Sequence, residues 1–217
     1  MNNDGNRRDL ISALELAKNI IFDFDGVLAD SEFFQLKIWR ELILEKKYAV
    51  SEFPIYAIAG IDDRIAIENL VPGLEPPAYD YLVAEKQRRC RARAQEVTPV
   101  DSALELLTFL NSSKRLYICS NSRAVEIHQF VQYNFPAIKF NLIIGKGDFV
   151  REKPDPAPYL KMLESAKISV AGSLVFEDST AGVQSAQAAG LNVIYLNRYG
   201  IRLPNVNSIL SFREIIR

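Results

Sequence analysis

From about residue 100 the chain alternates between two patterns. Short apolar runs, "RLYICSN" (115–121), "FNLIIGK" (140–146), "SLVFEDS" (173–179) and "NVIYLN" (192–197), are the first. The second is made of longer stretches, 101–113, 124–134, 156–168 and 181–190, whose apolar positions recur at three and four. The runs predict buried strands and the longer stretches predict helices with one apolar face. Their alternation predicts βαβ units and a parallel sheet covered on both faces. Nearer the start, "NIIFDF" predicts a further strand over about 19–24, and Leu10, Ile11, Leu14 and Leu16 predict a short helix over 7–18. Residues 31–47 and 77–97 predict helices, with Pro54, Gly60, Pro72, Gly73, Pro76 and Pro77 as breaks between shorter helical pieces.

The fold class expected is α/β: a doubly wound parallel sheet with strands near 20, 117, 143, 175 and 194. A small helical domain leaves the sheet after the first strand and returns before the second. The expected boundaries are a helical extension at 1–18, a core at 19–30 and 97–217, and a helical insert at 31–96.

In an open parallel sheet, ligands bind beyond the carboxyl ends of the strands. Those ends carry Asp23-Phe24-Asp25-Gly26, Ser120-Asn121-Ser122, the loop leading to Lys153-Pro154, and Glu177-Asp178-Ser179. An unpaired buried carboxylate costs several kcal/mol, roughly, and two near each other repel. A cation must share the site, or one acid must hold a proton. The donors are oxygens, with no His or Cys pair among them, which favours Mg²⁺ over Zn²⁺. Such a site suits a dianionic phosphate. Gly26 permits a tight turn, Ser120 offers a hydroxyl, and the helix opening near Ala181 offers amides to an anion.

Composition narrows the picture. Apolar residues are 48% of the 217 and charged residues 24%, so a packed core is expected and disorder is not. The net charge of −1 gives no global signal for nucleic acid or an anionic membrane. The arginines of "KQRRCRARA" wrap around a helix and predict a solvated face, not a nucleic-acid stripe. Cys90 and Cys119 have no metal-ligand spacing, and Cys119 lies in an apolar run, a pattern of reduced, cytoplasmic usage. No signal peptide is read at the N-terminus, and no apolar run reaches the ~20 residues needed to span a bilayer. His128 predicts a bland helix position, and Trp39 with Phe33-Phe34 predicts packing within the insert. Monomer is the default expectation.

The stretches "FDFDGVLADSE", "YICSNS", "REKPDPAPY" and "VFEDSTAGVQSAQAAG" resemble, in order, the four motifs of the haloacid dehalogenase superfamily. The likeness covers 19 to about 197 and is nearest to the phosphatase and β-phosphoglucomutase-like branch. It implies that Asp23 is the nucleophile, forming an aspartyl-phosphate, and that Asp25 is the general acid and then the base. It implies Mg²⁺ held by Asp23, the Asp25 carbonyl, Asp178 and Glu177, the last directly or through water. Ser120 and the backbone at Asn121 would hold phosphate oxygens, and Lys153 would offset charge. Gly26 would lie beside the ligand. "AGIDDRIAIENL" (59–70) is similar to the family's cap loop, so Arg64 is expected to contact substrate, or else to pair with Asp62 or Glu68 on a helix surface.

The resemblance therefore implies a Mg²⁺-dependent phosphatase acting on a small phosphorylated metabolite such as a sugar phosphate, with no nucleic-acid or membrane partner. A β-phosphoglucomutase-like mutase is the alternative, and a non-catalytic binding relative a further one. Mutases of that branch carry a histidine where this chain has Gln35, and an amide cannot relay a proton as imidazole does. Asp25 together with the Glu177-Asp178 pair separates the chain from the metal-free dehalogenating members.

Overall fold

The structure, a computed structural model, describes residues 3–50, 52–55 and 61–216. The chain forms two compact units, Met1–Ala29 with Pro99–Arg217, and Asp30–Thr98.

The first unit is built on six parallel strands: β1 (Asn19–Phe22), β2 (Arg115–Arg123), β3 (Phe140–Lys146), β4 (Ser173–Glu177), β5 (Asn192–Leu196) and β6 (Asn207–Ile209). Their order across the sheet is β3-β2-β1-β4-β5-β6. β1 is fully buried and has apolar neighbours on both sides, Ile20 lying level with Leu116 and Leu174, and Phe22 with Ile118 and Phe176. A strand enclosed in this way must be apolar on both faces, which is why "NIIF" does not alternate. The chain winds outward from β1 to β3, then returns past β1 to wind the other way from β4. The reversal between β1 and β4 makes a crevice at their carboxyl ends.

Helices α1 (Asn3–Leu16), α5 (Ala103–Asn111), α6 (Ala124–Asn134), α7 (Ala157–Ala166), α8 (Thr180–Ala188) and α9 (Arg213–Ile216) complete this unit. Leu10 and Leu14 of α1 are buried, as their spacing predicts, whereas Leu16 at its end is exposed. Tyr159 and Met162 of α7 and Val183 and Ala186 of α8 join Val175 and Tyr195 in one core cluster. Sequence pattern does not anticipate β6 or α9. "NSI" is too short and too polar to read as a strand; β5 supplies its pairing, with Ile194 level with Asn207 and Leu196 with Ile209.

The second unit holds α2 (Ser31–Glu45), α3 (Asp63–Leu70) and α4 (Pro76–Ala92), with no strand among the described residues. Trp39, Leu42, Ile43, Ile67, Leu70 and Leu82 form its core. Phe34 is buried and Phe33 exposed. Asp62 caps α3 by accepting from the Arg64 amide at 2.8 Å. On α4 and at its C-cap three arginines meet acids: Arg88 and Arg89 pair with Glu85, Arg89 also with Glu45, and Arg93 with Glu41 and Glu96. Lys86 of the same run is buried instead; its Nζ lies 2.5 Å from Asp63 Oδ1 and 2.6 Å from Gln35 Oε1. Ala59 and Gly60, the start of the stretch likened to the cap loop, lie outside the described residues.

Candidate active site

The Asp23 amide donates to the Phe176 carbonyl at 2.9 Å, carrying the β1–β4 ladder one residue past the strand. The chain then folds back on itself. The amides of Leu28 and Ala29 both donate to the Phe24 carbonyl at 2.9 Å, and the Gly26 amide to the Ala29 carbonyl at 2.8 Å. Gly26 has φ +72°, and a Cβ there would fall 1.7 Å from Asp178 Oδ2. Glycine is required twice over, by the left-handed turn and by the carboxylate pressed against it.

Lys153 is the centre of the site. Its Nζ donates to Asp23 Oδ1 at 2.8 Å, to Glu177 Oε1 at 2.5 Å and to the Cys119 carbonyl at 2.8 Å. All three donor positions of the ammonium are used. Burial alone would favour neutral lysine, but the adjacent carboxylates of Asp23 and Glu177 outweigh it and hold the Lys153 pKa well above the ordinary lysine value. The Lys153 amide donates to Asn121 Oδ1 at 3.1 Å and Asn121 Nδ2 returns a bond to the Lys153 carbonyl at 3.4 Å. Asn121's side chain thus fixes the lysine loop to the end of β2.

Glu177 is completely buried. Its Oε1 also accepts from the Tyr159 hydroxyl at 2.7 Å, and its Oε2 from Ser179 at 3.3 Å. Gly182 makes room for it: a Cβ there would lie 2.0 Å from the carboxylate. Ser179 also accepts from the Gly182 amide at 3.0 Å, so the cap of α8 and the seat of Glu177 are one arrangement. Cys119, directly below, does not compete as a nucleophile, because burial pushes its thiol up to about 12.

On the β2 side the strand is irregular between Cys119 and Arg123. Ser120 and Ser122 both aim at Asp25 Oδ2, at 3.4 Å and 2.5 Å respectively. Oxygens of Asp23, Glu177 and Asp178 all lie within 4.8 Å of one another. This all-oxygen donor set of three acids fits a hard divalent cation such as Mg²⁺.

The family described as haloacid dehalogenase-like hydrolase matches residues 20–196. The chain belongs to this family. A phosphorylated carbohydrates phosphatase of Thermotoga maritima is 28% identical over 182 residues, covering 81% of this chain and 83% of that protein. Protein CbbY of Rhodobacter capsulatus is 30% identical over 190 residues, covering 82% of this chain and 84% of its own. Among solved structures, a HAD-superfamily hydrolase of subfamily IA from Geobacter sulfurreducens has the same fold. Its TM-score is 0.72 at 23% identity, and the match covers 93% of this chain and 95% of that one.

Within this haloacid dehalogenase-like core, the residues singled out from sequence fall into three groups. Asp23, Lys153 and Glu177 are bonded together, Asp178 lies against Gly26, and Ser120 reaches Asp25. Arg64 belongs to the other unit. Its guanidinium pairs with Asp80 at 2.9 Å, not with Asp62 or Glu68, and both side chains are more than three-fifths exposed. His128 is an exposed helix residue whose Nδ1 lies 2.7 Å from the Ala124 carbonyl. Sequence reading missed Ser122, Tyr159 and Arg198, the last donating to the Gly26 carbonyl at 3.2 Å. Only Ser122 had a visible signal, since residues two apart on a strand share a face with each other.

Proposed function

We propose that this hydrolase cleaves small phosphate monoesters, sugar phosphates foremost, through an aspartyl-phosphate on Asp23. The observation that carries the reading is the Lys153 ammonium held between Asp23 and Glu177 at the mouth of β1. It fixes the Asp23 carboxylate on Oδ1 and keeps a positive charge where a phosphoryl group would arrive.

A carboxylate oxygen of Asp23 attacks phosphorus while the bond to the leaving oxygen breaks, and Asp25 gives that oxygen its proton. Asp25 then takes a proton from water as the water oxygen bonds to phosphorus. Inorganic phosphate leaves and the Asp23 carboxylate is restored. Asp23, Asp178 and the Asp25 carbonyl would hold Mg²⁺, which when bound supplies charge compensation for the phosphoryl oxygens. Glu177, with its oxygens engaged by Lys153, Tyr159 and Ser179, serves to position the lysine. Ser120 and the amides at the end of β2 receive phosphate oxygens. The helical unit, Asp30–Thr98, acts as the cap that selects the substrate.

The sugar-phosphate class is supported by the name of the Thermotoga maritima relative, a phosphorylated carbohydrates phosphatase. The mutase reading is weakened by Gln35, whose Oε1 accepts from Lys86 and whose amide has no exchangeable acid proton to relay. Among the described residues no helix is long and apolar enough to cross a membrane.

Phosphate release from p-nitrophenyl phosphate, with Mg²⁺ and with excess chelator, tests the reading. Wild type should need the metal, and Asp23→Asn should lose activity by at least about a thousandfold. An Asp23→Asn protein as active as wild type would overturn it. Conversion of a sugar 1-phosphate only in the presence of a bisphosphate primer would replace it with the mutase.

A further inference from the structure

A cavity of about 390 Å³ lies in the α/β unit at the edge of the sheet opposite the crevice. Leu174, Asn192 and Asn207 line it, and they stand at or next to the starts of β4, β5 and β6. Ala13 of α1 and Gln187 near the end of α8 complete its wall. Four carboxamides face this space: Gln187, Asn192, Asn205 and Asn207. Asn205 has φ +59°, a backbone region that asparagine tolerates better than most residues, so its identity has a local explanation. Asn192 and Asn207 have no such explanation, since each opens a strand, where asparagine is depleted. Asn207 lies level with Ile194, two residues after Asn192, so both stand on one face of the sheet. None of the four side chains hydrogen-bonds to another described residue. The rest of the described wall is aliphatic or glycine, with no charged and no aromatic side chain.

We infer that this cavity binds a small neutral polyol, an unphosphorylated sugar or sugar alcohol. A carboxamide offers two N–H donors and a carbonyl acceptor, and a hydroxyl both donates and accepts. Neighbouring carboxamides therefore pair with successive hydroxyls while the aliphatic wall meets the carbon skeleton. The volume lies within the range of small-molecule sites. An anion is disfavoured, because no cation lines the wall to offset its desolvation. A nucleobase is disfavoured too, because no ring is there to stack on it. Binding here uses no residue of the crevice, so it stands apart from the phosphatase reading.

The test follows the side-chain NH₂ signals of Gln187, Asn192 and Asn207 by NMR while glucose, sorbitol, glucuronate or adenosine is added to the whole protein. Glucose or sorbitol should shift these signals saturably, with a Kd of about 1 mM, an affinity in reach of ligands this small. Whichever of the two binds more tightly tells a ring from an open chain. Glucuronate and adenosine should bind at least about tenfold more weakly. Gln187→Ala and Asn192→Ala remove exposed side chains and should leave the melting temperature unchanged. Each should weaken polyol binding by about three- to tenfold, the worth of one hydrogen bond. No saturable shift with either polyol up to about 100 mM would overturn the assignment. So would variants that bind as tightly as wild type. Glucuronate or adenosine binding as tightly as the better polyol would give the cavity to another class of ligand and overturn it as well. Phosphate release from p-nitrophenyl phosphate, measured on the same protein, keeps the two readings apart. An active protein that ignores polyols sinks this site alone, and an inert one that binds them sinks the phosphatase alone.

Discussion

Lys153 and Lys86 are both nearly sealed from water, at 8% and 4% exposure, yet their surroundings differ in kind. Lys86, in the helical unit, faces one acid. Its Nζ meets Asp63 and Gln35 and lies 5.7 Å from the centre of the Trp39 ring, while Asp63 Oδ2 also accepts from Gln87. One positive charge meets one negative charge, and α2, α3 and α4 are fastened together. Lys153, in the α/β unit, meets two carboxylates directly and has Asp25 and Asp178 close by on the same loops. Lys153 is shared there between two acids at the mouth of a crevice. A buried pair closed on itself is a fastener, whereas acids gathered around one lysine at strand ends are placed to meet a ligand. The contrast separates structure from site without reference to any motif.

Replacing Lys153 with Met should have the largest effect of any substitution at either lysine. Removing a preorganised positive donor should lower kcat/KM on p-nitrophenyl phosphate by about 10²–10³-fold. In metal-free protein it should also cost about 3–5 kcal/mol of stability, because two buried carboxylates lose their partner. Adding Glu177→Gln should recover only part of that stability, since Asp23 stays uncompensated. Urea melts of the single and double variants measure this.

Lys86→Met sharpens the same comparison from the other side. It should destabilise by about 3 kcal/mol, since Asp63 is left desolvated without its ammonium. Here, unlike at Lys153, a second substitution, Asp63→Leu, should restore most of the loss, because the pair is closed on itself. If the double variant melts no higher than the single one, Lys86 is not a simple fastener and the contrast fails.

Tyr159→Phe is the mildest probe. The ring remains 4.8 Å from Lys153 Nζ, and only the 2.7 Å bond to Glu177 is lost. A stability loss of about 1–2 kcal/mol and a fall in kcat/KM of less than about tenfold are expected. A larger fall in kcat would mean that the hydroxyl does more than seat Glu177.

The parts of this arrangement that sequence reveals are those whose residue type is improbable in its surroundings. Asp23 and Asp25 interrupt an apolar run, and Glu177-Asp178 ends another, so both ends of the β1–β4 crevice are legible. The strands that flank β1 are legible for the same reason, being apolar on both faces. β6 is not, because only pairing with β5 makes a strand of Asn207-Ser208-Ile209. Tyr159 is hidden for a different reason. It sits on the apolar stripe of α7 beside Met162 and reads as core, and nothing local says that its hydroxyl meets Glu177 eighteen residues on. Lys86 is hidden by company. It stands in a basic run in which Arg88, Arg89 and Arg93 pair with acids, and only the packing of three helices turns it inward.

The contact of the Gly26 backbone with Asp178 reaches further than this one protein. Any side chain at 26, even a methyl, would have to occupy the space that the Asp178 carboxylate already fills. The two positions are locked as a pair. A homologous chain could accept a larger residue at 26 only by shortening or turning away the acid at 178, and it would give up the carboxylate proposed above to hold the metal. A non-glycine there would mark a silent member of the lineage before any assay had been run.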